Sequence, residues 1–514
     1  MPEHLKALIV IVALASAAFW FARQCAGAAM MQADFLRRRN LWFGVTLAAY
    51  LAHNFWLYIA AAGVLLWLGA RRERNVPALY FCLLFAVPTI GVSIGGFGVL
   101  ESLFNIDYLR LLSLVVLLPA FFALRREPGS PPFGRLLPDK LLLAYLALRF
   151  ILILDATTFT NALRIGVFYA FLDAFLPYYV ASRALTRLEA LREALMAFLV
   201  AAIVLAALGV FETLKGWLLY QSLEDALGVS WPYTTYLRRG DGPLRAQAST
   251  GHPIALGFVM TVAVAFFLYL ARSVPGQGLR IIAALALFAG LVAPLSRGPW
   301  VGAAAALMVY FAVGPSRARR LLLLLLGGFA VVPVLLLTDA GGSVAQYLPF
   351  IGKVDAYNIT YRERLLEIAL QEVMKSPFFG GTELFYSPAF QELVQGENFV
   401  DFVNTYVGIL LASGFVGLAL FCGFFAAVGA QLWGHLARSR GREDELRRLG
   451  RALAAALAGI LIIIFTASSI TVIPAVYWAV AGIAVAYDRL AELAASPTAR
   501  RAAAGRLTPA AAGS

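Results

Sequence analysis

Apolar runs of roughly 17–25 residues recur along the whole chain, separated by short polar stretches rich in arginine. A helix of that length crosses the ~30 Å hydrocarbon core of a bilayer. The pattern predicts spans near 6–23, 44–70, 78–95, 107–124, 139–155, 161–182, 193–214, 252–271, 279–295, 298–314, 320–338, 405–434, 452–468 and 470–487. The expected fold class is all-α: a polytopic helical membrane protein of about 12–14 transmembrane helices with a long loop carrying an amphipathic helix. Its expected parts are N-terminal transmembrane helices (1–194), central ones with a loop at 215–251 (195–338), a long loop (339–404), C-terminal helices (405–490) and a flexible tail (491–514). The run Leu41 to Ala70 is long enough to hide a half-helix, and Gly414 and Gly417 mark a break or close helix contact within Val403 to Leu436. The first run, Ala7 to Phe21, has no small-residue cleavage site and is expected to be retained.

Composition excludes a soluble domain. The chain has 514 residues, 61% of them hydrophobic and 14% charged, with mean hydropathy +0.79. A soluble fold of that composition would expose too much apolar surface. The net charge of +13 is spread over inter-helix loops and forms no nucleic-acid patch. Basic groups at 71–74, 125–140, 183–192, 317–320 and 438–451 fall on one side of alternating spans, which the positive-inside rule assigns to the cytoplasm. Arg37, Arg38 and Arg39 fall on the other side under this count, so either the first two spans are miscounted or these arginines lie at the outer interface. Cys25, Cys82 and Cys422 lie in or beside apolar runs without metal or disulfide spacing, and are expected to pack as small core residues.

The opposite face receives the two longest loops and the short turn holding Arg297. Arg238, Arg239 and Arg245 precede His252, which opens the next span. Either these arginines touch lipid phosphates or they form an anion site. In the long loop, Thr360 and Glu363 fit a capping box and Pro377 a helix stop, with Leu365, Leu366, Ala369, Leu370 and Val373 as an apolar face. Arg362 and Arg364 would then flank free N–H groups at a helix start, where phosphate binds well. The alternative is that they pair with Glu363 or Glu367. Asp401 and Asn404 stand about one helical turn apart, facing one cavity unless Asn404 caps the span. No Asp-x-Asp pair, Gly-rich phosphate loop or zinc constellation is present, so no metal or cofactor is expected and arginine must stabilise anions. Arg149 and Asp173, at similar depth in successive spans, are expected to form a structural ion pair.

Arg245 with His252-Pro253, Ser296-Arg297-Gly298, Tyr361-Arg362 followed by Pro377-Phe-Phe-Gly380, and Asn404-Thr-Tyr406 followed by Gly414-Phe-Val-Gly417 together give a resemblance. Over roughly residues 195–435 the chain resembles the O-antigen ligase and O-antigen polymerase superfamily of bacterial membrane glycosyltransferases, whose architecture is GT-C-like. The resemblance implies an inner-membrane enzyme with its active site facing the periplasm. Its donor would be a glycan on undecaprenyl pyrophosphate and its acceptor a hydroxyl on a glycan, lipid or protein. Membrane lipids and polysaccharide-assembly proteins are the implied partners. Arg238, Arg245, Arg297 and Arg362 would hold the pyrophosphate, and Asn404 and Tyr406 would position the acceptor. Ligases of this family often carry a His just before the Asn of the last motif, where this chain has Val403. That departure points to a polymerase, or a ligase with another acceptor, and leaves Asp401 or His252 as the base. A flippase of lipid-linked glycan or a structural subunit of an export complex are the competing readings. The first should show repeated halves and broken midplane helices, the second no shared cavity.

Overall fold

The computed structural model describes residues 1–96, 102–230, 243–315, 319, 322, 356–393, 400, 402–441 and 443–495. Its fold is all-α apart from one small hairpin. The helices are α1 (Glu3–Ala26), α2 (Gln32–Leu51), α3 (Phe55–Ala70), α4 (Val76–Leu83), α5 (Tyr108–Arg126), α6 (Leu137–Ala156), α7 (Phe159–Ala184), α8 (Leu188–Lys215), the short α9 (Leu223–Leu227), α10 (Pro253–Leu270), α11 (Gln277–Val292), α12 (Arg297–Ala312), α13 (Ala356–Val373), α14 (Thr405–Arg438), α15 (Glu445–Phe465) and α16 (Ile473–Ala495). Among the described residues, seven of these (α1, α5, α7, α8, α10, α14 and α15) are long and apolar enough to cross a membrane. The span expected near 320–338 lies almost wholly outside the described residues.

Local chemistry explains several departures from an even series of spans. The single span expected at 44–70 is instead the end of α2 followed by α3. Between them His53 takes a left-handed φ of +51°. The Asn54 side chain then caps α3 by accepting the N–H groups of Trp56 and Leu57. The length of the run hints at a hidden break, but His53 and Asn54 change its hydropathy too little to place the turn. The span expected at 78–95 is also not a helix throughout. Helix α4 stops at Leu83, and Gly91–Gly95 becomes strand β1, paired antiparallel with β2 (Ser102–Asp107) in the register Gly91↔Asp107. Two of the three described π-turns, Ser113–Leu117 in α5 and Phe171–Phe175 in α7, lie just ahead of a proline, Pro119 and Pro177; the third is Leu163–Tyr169 in α7. A proline supplies no N–H to the ladder and crowds the carbonyl four residues earlier.

The extra turn at His53 settles the first arginine cluster: the spans were miscounted. Arg38, 1% exposed, lies between Glu73 and Glu193 at 2.8 Å each, and Arg37 bonds Asp34 and Glu73. These arginines therefore share an end with the loop after α3 and the start of α8. The same end gathers Arg192 with Glu445, Arg183 with Asp139, Arg451 on the Tyr310 carbonyl and Arg447 on the Val313 carbonyl. We call it the basic end.

The expected pair of Arg149 and Asp173 does not form. Asp173 meets Arg110 at 3.0 Å, and Arg149 lies 5.9 Å from the Tyr145 ring centre. Equal depth in the bilayer was not enough, because the π-turn in α7 rotates Asp173 toward α5.

Helix α8 runs through the middle of the core, packed against α1, α4, α10 and α11. Small residues let the surrounding helices approach closely, as between membrane helices generally. Gly302 of α12 faces the Gly459 carbonyl and Ile463 of α15, so that a Cβ there would fall 2.4 Å from Ile463. Cys25 and Cys82 are buried as expected, but Cys422 is exposed on a spanning helix, where an apolar side chain faces lipid without needing a core.

Candidate functional site

The end opposite the basic one carries the described residues among those the motifs predict. The loop leaving α8 returns as Leu244 to His252 and is almost wholly buried. Its backbone is organised by Glu212, 1% exposed in the last turn of α8. The Glu212 carboxylate accepts three N–H groups, from Leu219 at 3.0 Å, Gln247 at 2.9 Å and Ala248 at 2.8 Å. Ser249 donates to the Phe85 carbonyl at 2.5 Å, and Thr250 closes the turn on the Gln247 carbonyl at 2.7 Å. In this setting Arg245 is only 7% exposed, and its Nε donates to the Pro294 carbonyl at 3.3 Å. The Ala246 N–H bonds the Ala293 carbonyl. A buried arginine is thereby tied to the turn that delivers Arg297.

That turn is short and strained. Leu295 takes φ +47°, as does Ala248 in the facing turn. A non-glycine residue pays roughly 1–2 kcal/mol to enter the left-handed region. The two other such residues among those described, His53 and Thr471, lie in turns at this same end. Arg297 is the first residue of α12 and half-buried, so its guanidinium adds to the positive end of a helix dipole. Gly298 packs on Thr466, where a Cβ would fall 2.4 Å from the hydroxyl. One residue on, Ala467 accepts both the N–H (3.0 Å) and the hydroxyl (2.8 Å) of Thr405, at the start of α14. Arg245, Pro294, Arg297, Thr466, Thr405 and Asn404 thus form a continuous rim.

Several predicted side chains hold this rim together. His252, just ahead of α10, accepts the Ile254 N–H on Nδ1 at 3.1 Å as the helix cap. Burial, and then the nearby Arg245 charge, push its pKa down to about 3. A neutral ring with one nitrogen committed to a cap and so low a pKa is a weak base. The Asn404 side-chain oxygen accepts from Tyr406 N (2.9 Å) and Val407 N (3.3 Å), which is the capping alternative. The Tyr406 hydroxyl donates to the Leu461 carbonyl at 3.0 Å. Asn404 and Tyr406 therefore shape the start of α14.

Helix α13 covers that start. Tyr361, Leu365, Ile368, Ala369 and Val373 are buried against Val407, Leu410 and Leu411 of α14 and against Leu384 and Phe390. The helix begins at Ala356, so Thr360 lies inside it and the expected capping box is not the helix start. Arg362 and Arg364 consequently do not flank free N–H groups. Arg364 bonds Glu367 at 2.8 Å and Glu392 at 3.2 Å, the pairing alternative. Arg362 is exposed one residue from the buried Tyr361. The expected apolar face is also rotated: Leu366 and Leu370 are 42% and 45% exposed, and Ile368 takes a place in the packed face. Arg238, Arg239 and Asp401 lie outside the described residues.

Glu212 is an organising residue of this loop that the motifs missed. A lone acid closing an otherwise apolar span was the available signal, since such a charge needs partners inside the protein. Other polar features lie elsewhere. A cavity of about 730 Å³ opens at the basic end among Asp34, Arg74, Glu127, Arg187 and Glu193. His435, Asp488 and Glu492, the one described cluster with metal-ligand spacing, is at that end too, with Arg438 against the imidazole.

No curated protein matches the chain. Residues 282–422 match the model of the O-antigen ligase family. The matched segment contains Arg297, Arg362, Asp401 and Asn404, while Glu212, Arg245 and His252 precede it. That segment, about a quarter of the chain, supports its similarity to the O-antigen ligase and polymerase superfamily.

Proposed function

We propose that this multi-pass membrane protein is a glycosyltransferase that moves or polymerises glycan from an undecaprenyl-pyrophosphate donor onto an acceptor hydroxyl during cell-surface polysaccharide synthesis. In this reading it lies in the bacterial inner membrane with the arginine rim facing the periplasm. The observation that carries it is the tie between buried Arg245 and the Pro294–Arg297 turn, which sets two permanent cations on one rim at the end away from the basic loops. The basic end would then be cytoplasmic, as the positive-inside rule requires.

The chemistry follows from the charges. The acceptor oxygen attacks the anomeric carbon as the bond from that carbon to the pyrophosphate oxygen breaks. Negative charge grows on the leaving pyrophosphate, and Arg245 and Arg297, with Arg362 of α13 and Arg238, stabilise it there. Asp401 accepts the hydroxyl proton and later releases it to water. Because Asn404 and Tyr406 are committed to the α14 start, their part is to hold Thr405 in register. The test is glycan transfer by protein reconstituted in liposomes with purified lipid-pyrophosphate donor. Wild-type protein should lengthen or transfer the glycan, and Arg297→Ala should not. Movement of donor across the bilayer without transfer would instead identify a flippase and end this reading.

A further inference from the structure

Helix α14 has 34 residues, or about 51 Å at 1.5 Å per residue, well beyond the ~30 Å hydrocarbon core. It is broken at Gly414, whose φ of +62° and ψ of −167° interrupt the hydrogen-bond ladder. The part after the break, residues 415–438, spans about 36 Å and crosses a bilayer by itself. The break therefore lies near the membrane surface at the end that carries the arginine rim.

The backbone groups freed at the break are taken up by the segment after α13. The Phe415 N–H donates to the Pro377 carbonyl at 2.8 Å and the Val416 N–H to the Phe378 carbonyl at 3.1 Å, while the Gly381 N–H donates to the Leu411 carbonyl at 2.9 Å. The approach is close enough that a Cβ on Gly414 would fall 2.3 Å from the Phe378 backbone. Unpaired backbone groups are not tolerated against lipid, so this lock makes the break possible. It also fixes the depth of Phe378 and Phe379.

Those two side chains point outward, 67% and 51% exposed, beside Phe415 at 46%. Leu366 and Leu370 continue the patch along one stripe of α13, and Met374 extends it in the turn just past the helix end. Arg364, Glu367 and Lys375 occupy the other exposed flank. Aromatic side chains at the level of a span's end, joined to an apolar stripe bordered by charges that include Glu363 and Glu367, match the composition of a helix resting in the headgroup–acyl boundary.

We propose that this rim, from Leu366 through Phe379 and Phe415, is inserted into the membrane interface and anchors α13, with its Arg362, to the bilayer. The occupant is lipid, because the patch is continuous with a spanning helix at the end of its span. The inference is independent of the glycosyltransferase reading.

Spin labels test it on the full chain in liposomes of phosphatidylethanolamine and phosphatidylglycerol. Single cysteines at Leu370, Met374, Phe378 and Arg364 are introduced on a Cys422→Ser background, since Cys25 and Cys82 are buried. Positions 370, 374 and 378 should relax more with oxygen than with a water-soluble nickel chelate, and position 364 the reverse. Nickel-dominated relaxation at 374 and 378 would overturn the proposal, as would protection from both agents, which signifies cover by a second copy or another protein. Met374→Cys leaves both phenylalanines and the lock intact, so its result stands even if Phe378→Cys misfolds.

Discussion

The Glu212 carboxylate accepts the Ala248 N–H at 2.8 Å, across 36 residues of sequence, and holds Ala248 at φ +47°. With the bonds to Gln247 and Leu219 it fixes the turn that presents Arg245. Removing the carboxylate leaves three buried N–H groups unsatisfied, at ~1–3 kcal/mol each. Glu212→Ala should lower stability by about 3 kcal/mol or more and abolish glycan transfer. Glu212→Gln keeps one carbonyl acceptor and should retain the fold with weakened donor binding. Thermal unfolding in detergent and donor titration read the two effects separately, and a wild-type melt for Glu212→Ala would remove the organising role.

Arg297 opens α12 on the rim shared with Arg245 and Asn404. If it stabilises the leaving pyrophosphate, Arg297→Ala should cut turnover ~10²–10³-fold, the usual effect of losing one transition-state donor. Arg297→Lys should recover part of the rate, since charge returns without the bidentate geometry. Single-turnover transfer rates measure this, and equal rates for alanine and wild type would discard the clamp.

His252 offers a pH signature. Its folded pKa of about 3 lies below the ordinary 6.5, so the unfolded chain binds the extra proton over that window. Stability should therefore fall as pH drops below about 6.5 and level off near 3. The effect at pH 5 is at most about 2 kcal/mol, taking 1.36 kcal/mol per pKa unit. His252→Asn preserves a cap acceptor and should flatten the acid limb of melting temperature against pH. An unchanged limb would mean other groups set it.

Gly414→Ala meets both a positive φ and the Phe378 backbone. It should cost about 2 kcal/mol or more and release the loop that closes the break. Limited proteolysis near Phe378 and Phe379 should speed up accordingly. If cleavage matches wild type, the interlock of residues 377–381 with α14 is not what holds the loop.

Much of the fold was legible in the chain because a bilayer imposes a length on apolar runs. The break at Gly414 was legible too, since glycine pairs in a span mark close approach. The His53 turn was legible only as the excess length of the run from Leu41 to Ala70, because two polar residues inside a long apolar run barely alter its hydropathy. Nor was the partner of Asp173: depth follows from sequence spacing, but the direction of a side chain around a helix depends on a π-turn. The start of α13 was misplaced because Thr360 and Glu363 fit a capping box equally well from inside a longer helix.

The sequence alone determined that the chain is an all-α membrane protein, where its arginines fall between the apolar runs, and which motifs resemble those of O-antigen ligases. Those properties depend on composition and short spacing. Tertiary structure decided which of those side chains are structural. His252, Asn404 and Tyr406 turned out to be committed to helix ends, and Glu212 emerged as the organiser of the Arg245 turn. The physical reason is that a buried polar group takes its role from whichever partners the fold brings within about 3 Å, and those partners lie tens to hundreds of residues away.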